Sequence, residues 1–101
     1  MELKNKILPN ISILKEIIFS LVKKVPGINN NEIHVEISKE KTIFNIYVKP
    51  IEYLLNLHDL ATDVQSIVYN YLSKQFDIYM KPIKVNVIVL GPKETYKNEN
   101  H

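Results

Sequence analysis

The chain has 101 residues, of which 46% are hydrophobic and 24% are charged, and its formal net charge is +2. This length allows one domain with a modest hydrophobic core, and the composition is typical of a folded protein rather than a disordered one. The net charge is too small to indicate nucleic-acid binding by itself, and the absence of cysteine excludes disulfides and thiolate metal sites.

The first predicted element is an amphipathic helix that follows an N-terminal tail, residues 1–9. Asn10 is expected to cap it, because its short side chain can accept a hydrogen bond from the free backbone donors of the first turn. The apolar stripe at helical spacing consists of Ile13, Leu14, Ile17, Ile18, Leu21, Val22 and Val25. Pro26 and Gly27 are predicted to end the helix after Val25.

Two strands joined by a short turn come next. In each strand hydrophobic and polar residues alternate, which is the period of a half-buried strand. The apolar positions are Ile33, Val35 and Ile37 in the first strand, and Phe44, Ile46 and Val48 in the second. Lys39, Glu40 and Lys41 are predicted to form the turn, and Pro50 is predicted to end the pairing.

A second helix and a third strand complete the predicted domain. Asn56 is expected to cap the helix, whose apolar stripe consists of Leu57, Leu60, Ala61, Val64, Ile67, Val68, Tyr71 and Leu72. Phe76 and Ile78 are expected to fold back over the C-terminal end of this helix. Pro82 is predicted to open the last strand and Gly91 to follow it. One side of that strand carries Ile83, Val85, Val87 and Val89.

These elements predict an α+β fold with two layers and the order α-β-β-α-β. Both helices are expected to pack on one face of a three-stranded sheet, because each helix has a single apolar stripe. The predicted organisation is an N-terminal tail over 1–9, a single domain over 10–91 and a disordered, polar C-terminal tail over 92–101.

The sheet face away from the helices is the candidate functional surface. It is expected to carry His34, Glu36, Ile43, Asn45, Tyr47, Asn86, Ile88 and Leu90. Exposed apolar patches often mark interaction sites, although single apolar residues are also common on ordinary surfaces. We predict that this face binds a partner through three anchors and three supporting residues. They are Tyr47, Ile88 and Leu90 as anchors, with Ile43, Asn45 and His34 beside them.

The histidines offer two chemical combinations. His58 and Asp59, with Asp63 one turn later, can place metal ligands on one helix, but a zinc site needs further ligands. His34 and Glu36 on one strand face can polarise a water molecule, but a general base also needs a cleft and a positioned substrate. The sequence therefore predicts no catalytic residue, no metal site and no cofactor, and indicates a protein that is not an enzyme.

The hydrophobic segments are too short to predict a membrane span. Ile17, Ile18 and Phe19 form the longest apolar run of the first helix, far short of the ~18 residues that cross a bilayer. Charged residues and asparagine occur too early at the N-terminus for a secretory signal. A cytoplasmic protein is therefore predicted.

Four segments stand in the order, and close to the spacing, of a known family. They are Val25-Pro26-Gly27-Ile28, Phe44-Asn45-Ile46-Tyr47-Val48, Val64-Gln65 and Val85-Asn86-Val87-Ile88-Val89-Leu90-Gly91. On these segments the chain resembles the alkaline shock protein family of Gram-positive and related bacteria. The resemblance implies a small cytoplasmic protein, often at the inner side of the membrane through a partner, and linked to envelope stress and membrane-lipid metabolism. It implies no enzyme activity and no catalytic residues.

Three functional hypotheses follow. The first is a non-enzymatic interaction protein of the envelope-stress or lipid-homeostasis type, which acts through a protein partner or as a homo-oligomer. The second is a KH-like protein that associates with RNA or the ribosome; the element order and the early lysines favour it, but the chain lacks arginine and a Gly-x-x-Gly clamp. The third is a small-molecule binder or enzyme with a cavity between the second helix and the sheet.

Overall fold

The structure is a computed structural model that describes residues 7–53, 56–76 and 82–96. Within these ranges the elements follow in the order α1 (Ile11–Val22), β1 (His34–Ile37), β2 (Ile43–Val48), α2 (Leu57–Gln75) and β3 (Lys84–Val89). The predicted α-β-β-α-β order and the α+β class are therefore confirmed.

The three strands form one mixed sheet with β2 in the centre. β1 pairs with β2 in the antiparallel direction, so that Val35 lies beside Ile46. β3 pairs with the other side of β2 in the parallel direction, so that Val87 also lies beside Ile46. Neighbouring parallel strands need a long crossover, and α2 provides it. The two edges of the sheet are thus β1 and β3.

Both helices pack on the same face of the sheet, as predicted, but Ile13, which the sequence placed in the apolar stripe of α1, is 47% exposed and lies outside the core. The fully buried residues of this core are Leu14, Ile18 and Val22 of α1, Val64, Val68 and Leu72 of α2, and Phe44, Ile46 and Val48 of β2. Successive side chains of a strand point to opposite faces. The side chains of Ile43, Asn45 and Tyr47, which alternate with the buried ones in β2, therefore lie on the other side of the sheet. That other side carries the candidate site.

Asparagine side chains cap both helices. The Oδ1 atom of Asn10 accepts a hydrogen bond from the backbone N–H of Ile13 at 2.9 Å, and that of Asn56 accepts one from Asp59 at 3.1 Å. Both predicted caps are confirmed. The carboxylate of Asp59 also lies in the first turn of α2, where it complements the helix dipole.

Removal of either cap is expected to destabilise the domain by about 1 kcal/mol, because alanine leaves a backbone donor of the first turn without its partner. Urea unfolding of Asn10→Ala and Asn56→Ala, followed by circular dichroism, measures the effect. Asn30→Ala is the matched control, since Asn30 is exposed in the loop after α1. Equal midpoints for the three variants and the wild type would contradict the capping role.

α1 ends at Val22, earlier than the predicted end at Val25. The N–H of Val25 donates to the C=O of Val22 at 3.0 Å, so the chain after the helix tightens into a shorter-range turn. Val25 lies beyond the end of α1 but is buried, so it contributes to the core as the predicted apolar stripe of this helix required. Gly27 has a φ of 91°, the left-handed conformation that glycine adopts at low cost.

Ser38 organises the hairpin turn, which contains no glycine. The N–H of Lys41 donates to the C=O of Ser38 at 2.8 Å, and the Ser38 Oγ atom accepts from the N–H groups of Thr42 and Ile43 at 3.1 and 3.0 Å. Lys41 has a φ of 62°, a conformation that non-glycine residues rarely adopt. The hydroxyl bonds hold the backbone in place around this residue.

α2 is a surface helix of 19 residues. Phe76 follows it in extended conformation and is buried, as predicted, whereas Ile78 lies outside the described residues. The third strand begins at Lys84 rather than directly after Pro82. No helix in the described ranges is long and apolar enough to cross a bilayer.

The folded region extends beyond the predicted boundary at Gly91. Residues 92–96, expected to belong to a disordered tail, turn back onto the sheet, where the ring of Tyr96 stacks on that of His34. Aromatic stacking and burial supply the physical reason for this return. The remaining predicted tail residues, 97–101 and 1–6, lie outside the described residues.

Candidate protein-interaction surface

The open face is the side of the sheet that the helices leave uncovered, and strand register builds it. Tyr47 of β2 lies between His34 of β1 and Ile88 of β3, so that one row crosses the whole sheet. The neighbouring row consists of Glu36, Asn45 and Asn86. Residues that are far apart in sequence thus become neighbours on one surface.

The amides of Asn45 and Asn86 form a pair on this face. The Nδ2 atom of Asn86 donates to the Oδ1 atom of Asn45 at 2.9 Å, and both side chains are half-buried. A primary amide has two donor hydrogens and an oxygen with two lone pairs, so one bond between them leaves further capacity. The pair can therefore hydrogen-bond to a polar group that approaches the sheet.

Tyr96 covers part of the open face. Its ring stacks on the ring of His34 with a centroid distance of 4.3 Å and an angle of 6°, and it meets the ring of Tyr47 edge-on at 4.8 Å and 64°. Both arrangements are favourable aromatic geometries. Three rings from β1, β2 and the chain after β3 therefore form one cluster.

The carboxylate of Glu36 accepts hydrogen bonds from both phenols of this cluster. Its Oε1 atom accepts a hydrogen bond from the Tyr47 hydroxyl at 3.1 Å, and its Oε2 atom accepts one from the Tyr96 hydroxyl at 2.8 Å. Hydrogen bonds to an ionised acceptor are stronger than those between neutral groups. The sequence analysis considered His34 and Glu36 as a pair that polarises water. In the structure the His34 ring stacks on Tyr96, and the Glu36 carboxylate accepts hydrogen bonds from two phenols.

The C-terminal segment, residues 91–96, is also held at its beginning. The Lys49 ammonium donates to the carbonyl of Glu94 at 3.1 Å, and the Glu94 carboxylate accepts from the N–H of Gly91. The hydroxyl of Tyr53 donates to the carbonyl of Leu90 at 2.6 Å. These contacts fix the position at which the chain leaves β3 and returns over the sheet.

Tyr53 remains a neutral donor at this position. Desolvation raises the pKa of its phenol above the usual value, and the negative charges of Glu94 and Glu32 raise it further. A protonated phenol is the form that donates to the Leu90 carbonyl. The raised pKa is therefore consistent with the hydrogen bond that the structure shows.

Five of the six residues predicted for the interaction surface are accessible on the open face. Ile43 is the most exposed of them, at 42%. The half-buried ones are His34, Asn45, Tyr47 and Ile88. The register makes Tyr47 and Ile88 direct neighbours.

Leu90 differs from its predicted role as an exposed anchor, because it is only 6% exposed. Its N–H donates to the carbonyl of Val48 at 2.9 Å, and its own carbonyl accepts the Tyr53 hydroxyl. The chain is thus held against the sheet at Leu90 and turns back directly afterwards. Leu90 is a packing residue in this structure.

The sequence analysis missed Tyr96 and the contacts of Glu36 with two phenols. One signal was present, since Tyr96 is the single aromatic residue in the polar stretch 93–101. An aromatic residue in such a stretch gains free energy by packing on a partly apolar surface. Its partner, however, is Glu36 on a distant strand, which local patterns do not reveal.

The described part of the chain contains no cluster of three or more histidine, cysteine, aspartate or glutamate side chains that could hold a metal ion. His58, Asp59 and Asp63 are exposed along α2. A shallow cleft of about 280 Å³ lies between α2 and β3, the location that the small-molecule hypothesis requires. Gln65 bridges the two elements there, because its Nε2 atom donates to the carbonyl of Val85 at 3.0 Å.

Comparisons of the chain with protein-family models, with curated protein sequences and with solved structures found no match. The resemblance to the alkaline shock protein family rests on the four segments quoted above and stays a prediction. Arguments about function therefore start from the surface chemistry of this chain.

Proposed function

We propose that this chain is a non-catalytic protein-interaction module and that a folded protein partner docks on its open face. One observation carries the proposal: Tyr47 and Ile88 lie side by side on the face of the sheet away from α1 and α2, with Ile43 42% exposed on the same face. Apolar side chains beside hydrogen-bonding amides are typical of interfaces between proteins that also exist separately.

The charges of the open face favour a protein over a nucleic acid as the partner. Its rows contain Glu36, an amide pair and one lysine, Lys84 beside Ile43, whereas binding to a phosphate backbone requires a cluster of cations. The exposed lysines Lys15, Lys23 and Lys24 lie on or directly after α1, in the helical layer on the other side of the sheet. Docking on the open face thus places the partner away from them.

The setting of this activity comes from the resemblance alone. It places the protein in the cytoplasm, with a partner that can hold it at the inner face of the membrane, in envelope stress or membrane-lipid homeostasis. The proposal includes this setting as its most specific part. The surface argument holds without it.

Lysine at both Ile43 and Ile88 is expected to abolish partner binding and leave the fold intact, because neither residue belongs to the core between helices and sheet. Affinity capture from the native cells identifies the partner, and titration calorimetry with the purified partner then measures the loss. Ile13→Lys is the matched control, since Ile13 is 47% exposed on α1. We expect the double variant to weaken binding about a hundredfold or more, and the control to leave it unchanged.

Unchanged partner binding by a folded double variant would refute docking on the open face. A self-association seen by sedimentation and lost in the double variant would instead make the partner a second copy of the chain. Retention of RNA at low salt, weakened steeply by added salt and unaffected by the double variant, would favour the RNA hypothesis.

A further inference from the structure

The outer edge of β1 carries main-chain hydrogen-bonding groups that no strand within the described residues pairs. The N–H of Ser38 donates to the carbonyl of Ile43 at 2.9 Å, which marks these residues as a hydrogen-bonded pair with β2. Such pairs alternate along an antiparallel ladder, so Glu36 and His34 also direct their main-chain groups toward β2. The N–H and C=O groups of Val35 and Ile37 therefore point outward.

The two edges of the sheet differ in how these outward groups are treated. At the β3 edge, Gln65 of α2 reaches across and its amide binds the outward carbonyl of Val85. Among the described residues, no side chain makes an equivalent bond to Val35 or Ile37. An exposed edge is a template for another strand, and proteins usually protect it. Within residues 7–53, 56–76 and 82–96, the β1 edge therefore lacks the side-chain protection that Gln65 gives the β3 edge.

A groove runs beside this edge, between β1 and α1. It has a volume of about 330 Å³ and is lined by Lys15, Glu16, Phe19, Ile33, His34 and Val35. Phe19 lies off the buried stripe of α1 and is 36% exposed, with the Lys23 ammonium 5.3 Å from its ring centroid. An aromatic ring on the helix thus faces the same groove as the free strand edge.

We infer that an extended segment of a partner protein adds to the free edge of β1 and places an apolar side chain in the groove against Phe19. Outward N–H and C=O groups at alternate residues are matched by another extended main chain, whereas a helix has its own main-chain groups already bonded. Lys15 and Glu16 at the rim carry opposite charges, so the groove selects no net charge in the segment. Tyr96 occupies the open-face side of His34, which leaves the groove side of β1 for the added strand.

A phage-displayed library of random seven-residue peptides, selected on the immobilised full-length chain, provides the probe. The inference expects enriched peptides with apolar residues at alternate positions. In amide hydrogen exchange by NMR, the enriched peptide should slow exchange at Val35 and Ile37 and leave Val87 and Val89, on the opposite edge, unchanged. Calorimetry gives the affinity of the same peptide for each variant.

Two variants remove different parts of the site. Val35→Pro deletes an outward N–H together with a side chain that packs against the core, so circular dichroism first checks that the variant is folded. Proline is tolerated in an edge strand at such a position, and peptide binding should weaken about tenfold. Phe19→Glu removes the apolar contact without touching the core and should weaken it at least as much, roughly tenfold or more. Ile13→Glu is the matched control on the same helix, with binding unchanged.

Several results would overturn the inference. They are a selection that enriches no peptide, exchange at Val35 and Ile37 unaffected by the enriched peptide, or full binding by a folded Phe19→Glu variant. A dimer in sedimentation that Phe19→Glu dissociates would assign the edge to a second copy of this chain instead. The variant with lysine at Ile43 and Ile88 separates this site from the open face: the inference expects it to bind the peptide normally, and loss of binding there would refute it.

Discussion

Replacement of Phe44 by alanine is expected to remove about 4 kcal/mol of the free energy of unfolding. Phe44 is fully buried at the centre of the sheet, between β1 and β3, and belongs to the core that both helices cover. Truncation removes the transfer free energy of the ring and leaves a cavity that the surrounding helices fill only in part. Since the free energy of unfolding of small domains is only about 5–15 kcal/mol, this one substitution removes a large part of the stability.

The neighbouring residue supplies the control for this prediction. Ile43 precedes Phe44 in β2 but points to the open face and is 42% exposed, so Ile43→Ala should cost about 1 kcal/mol or less. Urea unfolding followed by circular dichroism measures both variants under the same conditions. A similar loss for the two variants would mean that the helices do not cover the face that carries Phe44.

The local features of this fold could be predicted from the sequence because each depends on neighbouring residues. Asn10 and Asn56 cap helices through backbone donors three residues away, and the alternation in β2 decides which side chains enter the core. Gly27 takes the left-handed conformation that its position after Pro26 indicated. In such cases, residue type and spacing carry the whole physical argument.

Strand order and the return of the chain over the sheet depend on contacts between distant residues. The parallel pairing of β3 with β2 joins Tyr47 to Ile88, and no local pattern distinguishes this arrangement from pairing with β1. The hydrogen bond between Tyr96 and Glu36 also joins residues that are far apart in the sequence. The exposure of Leu90 was misjudged for this reason, because its burial accompanies a return of the chain that a polar sequence did not predict.

In the candidate site, too, the features that depend on neighbouring residues were predicted, and those that depend on contacts between distant elements were not. The alternation of strands 1 to 3 predicted which side chains share the open face, and the structure places them there with the exception of Leu90, which is buried. The groove beside β1 was not predicted, because it requires α1 and β1 to lie next to each other with Phe19 between them. The sequence analysis named Phe19 only within the longest apolar run of the first helix, and its place beside β1 is known from the structure alone.

Loss of the Tyr96 side chain is expected to lower the free energy of unfolding by about 2 kcal/mol. Tyr96→Ala removes a stacked contact with His34, an edge-on contact with Tyr47 and a hydrogen bond to the Glu36 carboxylate. Aromatic pairs contribute about 0.5–1.5 kcal/mol each, and partial exposure reduces the contribution of the hydrogen bond. Thr95→Ala, at the exposed position before it, is the control and should have no measurable effect.

A double-mutant cycle separates the ring of Tyr96 from its hydroxyl. Tyr96→Phe keeps both ring contacts and removes the hydroxyl that donates to Glu36, so it should cost about 1 kcal/mol. Glu36→Gln changes the acceptor of the same bond. If the bond stabilises the C-terminal segment on the sheet, the two changes together cost less than the sum of their separate effects. Strict additivity in urea unfolding would show that the bond between Tyr96 and Glu36 does not stabilise the segment on the sheet. A docking partner would then displace Tyr96 from the open face without a loss of free energy from its hydrogen bond to Glu36.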